Sequence, residues 1–350
     1  MANYSIAVLG ATGQVGREFL RILEEGDRAD LPIGSLRLFA SERSAGKRVK
    51  VRGDEYIIDE ARLDPRQYEG LDFVLSAIGD TEARRFAPVI AEAGALDVDK
   101  SNAWRMDPSV PLVVPEVNPE AARGHHGIIA GPNCSTTQMV VALWPIHQQN
   151  PIRRIIVDTY QAVSGTGWRA IDELQAQVAD PNAPHAVYPH QIHGNVFPEI
   201  GGLKADGLYS EERKMIDETR KIFAEPSLPI SATCVRVPVA VGHSEAIHLE
   251  LDRPMSPDEA REILRNAPGL VVTDDPSRSA YPTPLDAAGK DPVFVGRVRS
   301  DPSHPRGLAL WVVGDNLRKG AALNAIQVFE LVARNGWRSA PARQRQEVQA

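Results

Sequence analysis

Cys134 is the residue with the most distinctive chemistry in this sequence. It lies in the string Gly-Pro-Asn-Cys-Ser-Thr-Thr at 131–137, between an apolar run at 127–130 and an apolar helical pattern at 139–143. A thiol is thus predicted where a strand turns into a helix N-terminus, whose unpaired N–H groups and positive dipole favour the reactive thiolate. A Pro-Asn turn is also an ordinary helix start, and a single cysteine is often an inert core residue. The local sequence leaves both interpretations open.

A glycine-rich turn near the start of the chain indicates a reaction partner for such a thiol. Gly10, Gly13 and Gly16 follow the apolar run at 6–9 and open a helical pattern. Glycines at this spacing let the backbone turn tightly and approach a pyrophosphate, whose charge the helix N-terminus stabilises. In this strand, turn and helix context the motif predicts a dinucleotide site.

The turn after the second predicted strand bears on which dinucleotide binds. Ser41, Arg43 and Ser44 can donate hydrogen bonds to the extra phosphate of NADP. An acidic residue at this place would instead hold the ribose hydroxyl of NAD, and Glu42 suits that alternative. We predict NADP (NADPH) as the cofactor.

A thiolate that attacks a carbonyl carbon beside a nicotinamide needs an acid or base within reach. His243 follows an apolar strand and a glycine, which suits a side chain aimed into a cleft, but spacing alone does not separate it from His248. His185, His190 and His193 cluster in a loop without the regular spacing of metal ligands, so no metal site is predicted.

The elements that must position these residues follow two patterns. The first 130 residues alternate short apolar runs with helical stretches, which is typical of a parallel sheet with crossover helices. Strands are predicted at 6–9, 36–39, 73–77, 112–114 and 128–130, and helices at 14–25 and 81–93.

From about residue 152 longer β-branched runs appear, at 154–160, 293–298 and 308–313, and favour a mixed or antiparallel sheet. The Pro- and His-rich residues 180–198 predict an irregular loop, and 321–333 a last helix that returns to the first domain. The predicted fold class is α/β, with an N-terminal Rossmann-like parallel-sheet domain (1–133 plus 319–350) and a second α+β domain of mixed or antiparallel sheet (134–318).

Composition excludes several classes of function. The chain has 350 residues, a formal net charge of −7 and no Lys/Arg block, so nucleic acid and anionic membrane are poor candidate partners. It has no run of about 20 apolar residues and no N-terminal targeting pattern. Two cysteines far apart argue against a disulfide framework. We expect a cytoplasmic protein of about two domains.

Six segments in order make the chain resemble the aspartate-β-semialdehyde dehydrogenases over essentially its whole length. They read Val-Leu-Gly-Ala-Thr-Gly at 8–13, Val-Val-Pro-Glu-Val-Asn at 113–118, Pro-Asn-Cys-Ser-Thr at 132–136, Thr-Tyr-Gln-Ala-Val-Ser-Gly at 159–165, Cys-Val-Arg-Val-Pro-Val at 234–239 with His-Ser-Glu at 243–245, and Trp-Val-Val-Gly-Asp-Asn-Leu-Arg-Lys-Gly-Ala-Ala at 311–322. Several long motifs in family order are more specific than any one alone.

The resemblance implies an NADPH-dependent reductive dephosphorylation of L-aspartyl-4-phosphate to L-aspartate 4-semialdehyde and phosphate. This reaction belongs to the biosynthesis of lysine and diaminopimelate, methionine, threonine and isoleucine. By the same resemblance Cys134 is the nucleophile that forms a thioester, His243 is the acid/base that takes the thiol proton, and Gln161 orients the substrate.

The resemblance also implies which groups bind the anions of the substrate. Arg236 matches the arginine for the substrate carboxylate and Arg105 the arginine for phosphate, and a planar guanidinium suits both. Glu211 and Lys214 match a pair for the substrate amino group and phosphate, although Glu211 against Glu212 stays open by one position.

The predicted cofactor contacts come from both domains, which the resemblance assigns to NADP binding (first) and to catalysis, substrate binding and dimerisation (second). They are Gly10, Thr12, Gly13, Gln14, Val15, Gly16, Ser41, Arg43, Ser44, Ser76, Ser164, Gly165 and Asn316.

Two further expectations concern departures and alternatives. The family's Ala-Phe pair before Asn195 is His193-Gly194 here, which puts the packing or subunit contacts of that loop in doubt. N-acetyl-γ-glutamyl-phosphate reductase and a non-catalytic NADP-binding regulatory or scaffold protein are the alternatives; the former typically has its cysteine in a Gly-Cys-Tyr-Pro-Thr context. The resemblance implies a homodimer or homotetramer.

Overall fold

The computed structural model describes residues 3–25, 28 and 31–338, and the chain divides into two compact units. The first unit is Met1–Pro132 with Ala321–Ala350, and the second is Asn133–Gly320. The predicted domains change over at 133/134 and 318/319. Residues 1–2, 26–27, 29–30 and 339–350 of the predicted first domain lie outside the described residues.

The described residues form strands and helices in a regular order along the chain. The strands are β1 (Tyr4–Leu9), β2 (Ile33–Ala40), β3 (Arg48–Val51), β4 (Asp54–Glu60), β5 (Phe73–Ser76), β6 (Leu96–Asp99), β7 (Ile128–Ala130), β8 (Ile152–Gln161), β9 (Ile230–Arg236), β10 (His243–Leu251), β11 (Leu270–Val272), β12 (Val293–Ser300) and β13 (Gly307–Gly314). The helices are α1 (Gln14–Glu24), α2 (Asp80–Glu92), α3 (Cys134–Gln149), α4 (Trp168–Ala179), α5 (Ser210–Phe223), α6 (Pro257–Arg265), α7 (Pro284–Ala287) and α8 (Leu323–Asn335).

The first unit is built on a seven-stranded sheet in the order β3-β4-β2-β1-β5-β6-β7. All neighbouring strands are parallel except the antiparallel pair β3 and β4. The helix α1 is amphipathic and buries Phe19 in the same core cluster that receives Phe329 from α8. The predicted parallel sheet is therefore confirmed, and the glycine-rich turn follows the carboxyl end of β1.

One predicted strand of the first unit is wrong and three others were missed. Residues 112–114 form only an isolated bridge from Leu112 to Ala130. The missed β6 reads Leu-Asp-Val-Asp and is buried throughout, so its two carboxylates hide a core strand from a hydrophobicity pattern. The missed β3 and β4 form a largely exposed hairpin, which lacks an apolar run for the same method to find.

The second unit is built on a six-stranded mixed sheet in the order β11-β12-β13-β10-β8-β9. This confirms the predicted mixed sheet of the second domain. Gln161 at the end of β8 pairs with Arg236 at the end of β9, and His243 begins the adjacent β10. Because β8 and β9 run parallel and β10 runs against them, these three side chains start from one edge of the sheet.

The alternation of side chains decides which of them reach the interior. Along β10 His243, Glu245 and Ile247 are buried, whereas Ala246 and His248 are partly exposed on the opposite face. Residues 180–198 contain no helix and no named strand, as predicted. In the described part of the chain, no helix is long and apolar enough to cross a membrane.

Candidate active site

The thiol of Cys134 lies at the first residue of α3, as the sequence predicts. Asn133 is the N-cap: its side-chain oxygen accepts hydrogen bonds from the N–H groups of Ser135 and Thr136 at 3.0 and 3.2 Å. The cap fixes the helix start, and the helix dipole at this end favours a negative charge on the sulfur.

His243 is the histidine that meets the thiol. Its Nε2 lies 3.3 Å from Cys134 Sγ, while its Nδ1 accepts a hydrogen bond from the Ala162 N–H at 3.0 Å. Burial, and then the nearby charge of Arg236, lower the pKa of His243 to about 3, so the ring is neutral at pH 7. His248 faces the other side of the sheet and pairs with Asp301 at 2.7 Å.

A buried polar network connects the start of α3 to the sheet and to α5. Glu211 Oε1 accepts hydrogen bonds from Asn133 Nδ2 at 2.7 Å and from Gln161 Nε2 at 3.0 Å. Its other oxygen, Oε2, lies 3.0 Å from Lys214 Nζ, one helical turn along α5. Three side chains, two of them predicted site residues and the third next to Cys134, therefore converge on the carboxylate of Glu211.

The charge state of that carboxylate is set by its partners. Burial alone would raise the pKa of Glu211, but the charge of Lys214 and the hydrogen bonds from Gln161, Lys214 and Asn133 outweigh it and lower the pKa to about 2. Glu212 is used differently, because its carboxylate accepts hydrogen bonds from the Tyr209 and Cys234 N–H groups. The open choice between the two glutamates thus resolves to Glu211 as the residue in the network.

Arg236 presents an unused donor next to the histidine. Its Nη1 donates to the Ala162 carbonyl at 2.6 Å, and its buried Nε has no hydrogen-bond partner among the described residues. A Cβ at Gly165 would lie 3.2 Å from Arg236 Nη1 and 3.4 Å from His243 Nε2. The missing side chain at Gly165 keeps the space between guanidinium and imidazole open.

The residues predicted to lie beside the nicotinamide, Ser164, Gly165 and Asn316, are connected by hydrogen bonds of Asn316. Asn316 Oδ1 accepts hydrogen bonds from the Ser164 hydroxyl and from the Gly242 N–H, both at 3.0 Å. The turn that carries Ser164 and Gly165 is thereby tied to the loop just before His243. Asn316 thus joins two loops beside Cys134 and His243 that are far apart in the sequence, so no single motif predicts this contact.

Gly320 packs directly against the nucleophile. It lies in a π-helical turn, Arg318–Ala322, and a Cβ at this position would come 2.7 Å from the Cβ of Cys134 and 3.0 Å from its Cα. Contacts this short do not occur between real side chains, so the site requires glycine here. Single π-helical turns are frequent at functional sites.

Arg105, the predicted phosphate ligand, belongs to the first unit. It is buried, and its guanidinium donates to the backbone carbonyls of Gly131 at 3.0 Å and Lys100 at 2.9 Å. Both carbonyls belong to loops that follow strands of the seven-stranded sheet, so these bonds hold the loop that leads into Pro132.

The glycine-rich turn has the geometry that the sequence predicts. Gly10 has a φ of +88°, and a Cβ there would lie 2.4 Å from the Ala77 carbonyl oxygen, while a Cβ at Gly16 would lie 2.1 Å from the Gly10 carbonyl oxygen. Gly13 is the N-cap of α1, the helix that contains Gln14 and Val15. Because glycine has no capping side chain, the first-turn N–H groups are left for an anion.

The turn at 41–44 comes next to this glycine turn. Thr12 and Ser44 share a hydrogen bond at 3.2 Å between their hydroxyl groups, and Ser41 and Arg43 are exposed. Ser76, at the end of β5, is buried and its hydroxyl donates to the carboxyl of Asp97. Its contact with the cofactor stays a prediction.

The comparisons with known proteins cover nearly the whole chain. A family model described as semialdehyde dehydrogenase, NAD binding domain, matches residues 5–125, and one described as semialdehyde dehydrogenase, dimerisation domain, matches residues 143–319. An aspartate-semialdehyde dehydrogenase of Aquifex aeolicus is 49% identical, over 95% of this chain and 99% of that protein.

The chain belongs to the aspartate-semialdehyde dehydrogenase family.

Solved structures of this family agree with the fold. Aspartate semialdehyde dehydrogenase II of Vibrio cholerae, solved in complex with ASA, has a TM-score of 0.91 at 41% identity and covers 95% of this chain and 99% of its own. The Candida albicans enzyme, solved with NADP, has a TM-score of 0.75 at 26% identity and covers 96% of this chain and 100% of its own. As a semialdehyde dehydrogenase, the chain binds a nicotinamide cofactor in its first unit, and the reductase alternative is not supported.

Some residues of this semialdehyde dehydrogenase site were missed by sequence reasoning. Asn133 was recognised as part of a helix start but not as a donor to Glu211, and Ala162 and Gly320 were not singled out for any role. An Asn at a helix N-cap can be recognised in a sequence. The backbone N–H of Ala162 and the missing Cβ of Gly320 act without a side chain, so their roles cannot be recognised from residue type. Cys234, by contrast, is buried beside Met215, and burial raises the pKa of its thiol.

The three histidines of the loop at 180–198 all lie among the residues that the structure describes. Throughout the range that the structure describes, no group of three or more His, Cys, Asp or Glu side chains is arranged to hold a metal ion. His185 instead contacts the Tyr188 carbonyl, at 3.3 Å.

Proposed function

We propose that this chain reduces L-aspartyl-4-phosphate to L-aspartate 4-semialdehyde with loss of phosphate, through a thioester on Cys134. The observation that carries the proposal is the 3.3 Å contact between Cys134 Sγ and His243 Nε2 at the start of a capped helix. A nucleophile and its acid/base partner within this reach, with a third group orienting the ring, is the arrangement of covalent catalysis.

The hydrogen bonds of His243 indicate which ring nitrogen carries the proton. Because Nδ1 accepts from the Ala162 N–H and the ring is neutral, the ring proton lies on Nε2 and points at the sulfur. The sulfur, 3.3 Å away, is then the acceptor of the Nε2–H, an arrangement that favours its thiolate form. The resemblance has His243 take the thiol proton and later pass a proton to or from the semialdehyde oxygen, and we propose the ring with Nε2–H as the form that donates in those later steps.

The steps at the acyl carbon follow from this arrangement. The thiolate forms a bond to the acyl carbon, the bond to the phosphate oxygen breaks, and the Nε2–H stabilises the negative oxygen that develops on the carbonyl. When bound, the nicotinamide supplies the hydride that reduces the thioester. The carbon–sulfur bond then breaks, the aldehyde leaves, and the sulfur returns as a thiolate to the Nε2–H.

Separate groups are proposed for each charge of the substrate. Arg236 offers the unpartnered Nε to the α-carboxylate, and the buried carboxylate of Glu211 suits the α-ammonium group. Lys214, partly exposed beside Glu211, and Arg105 are proposed for phosphate. Gln161, held by its bond to Glu211, orients the substrate next to the sulfur. Apart from the neutral Gln161, each of these groups is paired with a substrate charge of opposite sign.

For the cofactor we propose NADP rather than NAD. The exposed Arg43, with the hydroxyls of Ser41 and Ser44, forms the group suited to a 2′-phosphate, and it lies beside Thr12 of the glycine turn. Arg43→Ala should raise KM for NADP much more than KM for NAD. Gly10, Gly13 and Gly16 with Gln14 and Val15 are proposed for the pyrophosphate, and Ser164, Gly165 and Asn316 for the nicotinamide side.

We also propose a homodimer formed by the outer face of the six-stranded sheet, with a homotetramer as the alternative. Tyr160 on this face is 39% exposed, and its ring packs 5.5 Å from that of Trp311. An apolar cavity next to them is lined by Ala246 and Pro282. Light scattering of Tyr160→Glu should report a smaller assembly than the wild type. The proposed reaction serves the biosynthesis of lysine, methionine, threonine and isoleucine in the cytoplasm.

The deciding experiment is a phosphate-dependent assay in the reverse direction. Purified protein is mixed with aspartate semialdehyde, phosphate and either NADP or NAD, and the reduced cofactor is followed by absorbance. We expect reduction with NADP that requires phosphate and is absent in Cys134→Ala, although that variant still binds NADP. If the wild type reduces neither cofactor, or Cys134→Ala stays active, the proposal is refuted.

A further inference from the structure

The loop at 180–198, which the proposed chemistry leaves without a role, is built onto the guanidinium of Arg236. Arg236 and Phe197 exchange two backbone hydrogen bonds, at 2.9 and 3.2 Å, so the end of the loop runs alongside the end of β9. The ring of Tyr188 lies under the guanidinium, with the Arg236 Cζ 5.9 Å from the ring centroid. The loop therefore packs against the buried side chain of Arg236.

Tyr188 is itself held in place on several sides. Its hydroxyl lies 2.9 Å from the Thr166 hydroxyl, and its ring packs edge-on against Phe197 at 5.4 Å. It is buried in a small apolar cluster with Val163 and Ile192. A buried aromatic ring fixed by both its edge and its hydroxyl is a rigid support.

The loop is tied to α4 by two buried side chains. Glu173 Oε2 accepts hydrogen bonds from the Ala186 and Val187 N–H groups, both at 2.6 Å. Gln177 Oε1 accepts from the Ile192 and His193 N–H groups, both at 3.0 Å. These hydrogen bonds satisfy backbone donors on both sides of Tyr188, as the partner strand or the preceding turn does in a regular element.

We propose that Tyr188 is a positioning residue for Arg236, and that the loop at 180–198 is a structural part of the subsite for the substrate carboxylate. Among the described residues, the Arg236 guanidinium is hydrogen-bonded at Ala162 while its Nε has no partner, so the flat face of Tyr188 keeps the guanidinium from turning away. The attraction between a guanidinium and an aromatic face is stronger where water is excluded, so removing the ring should weaken the binding of the substrate carboxylate to Arg236. The inference rests on the proposed role of Arg236.

The test compares the two substrates of the reverse reaction. Tyr188→Met keeps apolar volume but removes the ring face, and we expect the KM for aspartate semialdehyde to rise about tenfold. The KM values for phosphate and NADP should stay unchanged, because neither is assigned to Arg236. Tyr188→Phe retains the ring and should retain a KM for the semialdehyde near that of the wild type. Val196→Ala, an exposed change in the same loop, is the matched control.

Gln177→Leu gives a second test that leaves both Tyr188 and Arg236 in place. Removing the acceptor for two loop N–H groups should also raise the KM for aspartate semialdehyde and spare that for phosphate. The inference is overturned if Tyr188→Met leaves all KM values unchanged, or raises the values for semialdehyde and phosphate equally. A wild type without phosphate-dependent turnover would refute the proposed function instead, so the two failures are distinguishable.

Discussion

Replacing Gly320 by alanine tests whether the position of Cys134 is set by its packing against the π-helical turn. The added Cβ would lie 2.7 Å from the Cβ of Cys134. Carbon atoms pack at about 3.5–4.0 Å, so the turn and the helix start must separate by about 1 Å. Asn133 caps the helix, and the backbone carbonyl of Asp315 accepts the Gly320 N–H at 3.2 Å. Because both segments are restrained in this way, we expect the thiol to take up part of the displacement.

A displacement of this size has a large expected effect on the chemistry. A misplacement of about 1 Å at a reacting group costs roughly 100-fold in rate, so the kcat of Gly320→Ala should fall by about that factor. The KM values should change less, because the substrate-binding groups are elsewhere. The rate at which iodoacetamide alkylates Cys134 should fall as well, since the sulfur loses the close contact with His243.

Gly307→Ala is the matched control for this variant. A Cβ at Gly307 would overlap the Cβ of Asp301 at the same distance, 2.7 Å, at the start of β13. Overpacking of this kind costs about 1–3 kcal/mol of stability in either variant. Gly307→Ala should therefore be destabilised but keep the kcat of the wild type. A folded Gly320→Ala protein with wild-type kcat and alkylation rate would refute the reasoning.

Three further predictions concern titratable groups. The pKa of Glu211 is about 2 in the folded protein against an ordinary 4.5, so its ionisation contributes about 3 kcal/mol of stability above pH 5 that is lost as the pH falls toward 2. Lys214→Met should reduce this contribution, and urea unfolding across the acid range would contradict us if both proteins lost stability in parallel. Burial, and then the charge of Asp99, raise the pKa of Asp97, so the folded protein loses stability as the pH rises and this carboxyl ionises. Asp97→Asn should therefore raise the Tm at pH 8 more than at pH 4. An equal rise at both pH values, or a larger one at pH 4, would contradict this expectation. Iodoacetamide should label Cys134 and spare the buried Cys234, as peptide mass mapping would show; labelling of Cys234 in folded protein would be inconsistent with its environment.

Much of the first unit could be predicted because its elements carry local signals. The apolar run of β1, the glycines at 10, 13 and 16 and the amphipathic α1 follow from periodicity and turn chemistry. The partner of the Ser76 hydroxyl carries no such local signal, because Asp97 lies twenty-one positions along the chain. The local sequence around Ser76 does not predict this partner, because Asp97 lies on the neighbouring strand β6.

The sequence by itself determined the alternating parallel sheet, the mixed sheet of the second unit, and a thiol at a helix start. These depend on residue types at short spacing, and backbone geometry converts such spacing into elements with few alternatives. Only the tertiary structure decided that His243 and not His248 meets Cys134, that Glu211 and not Glu212 enters the network, and that the loop at 180–198 supports Arg236. Each choice depends on which face of a strand or helix is turned inward and on contacts between residues far apart in the chain, and the packing of the whole unit sets both.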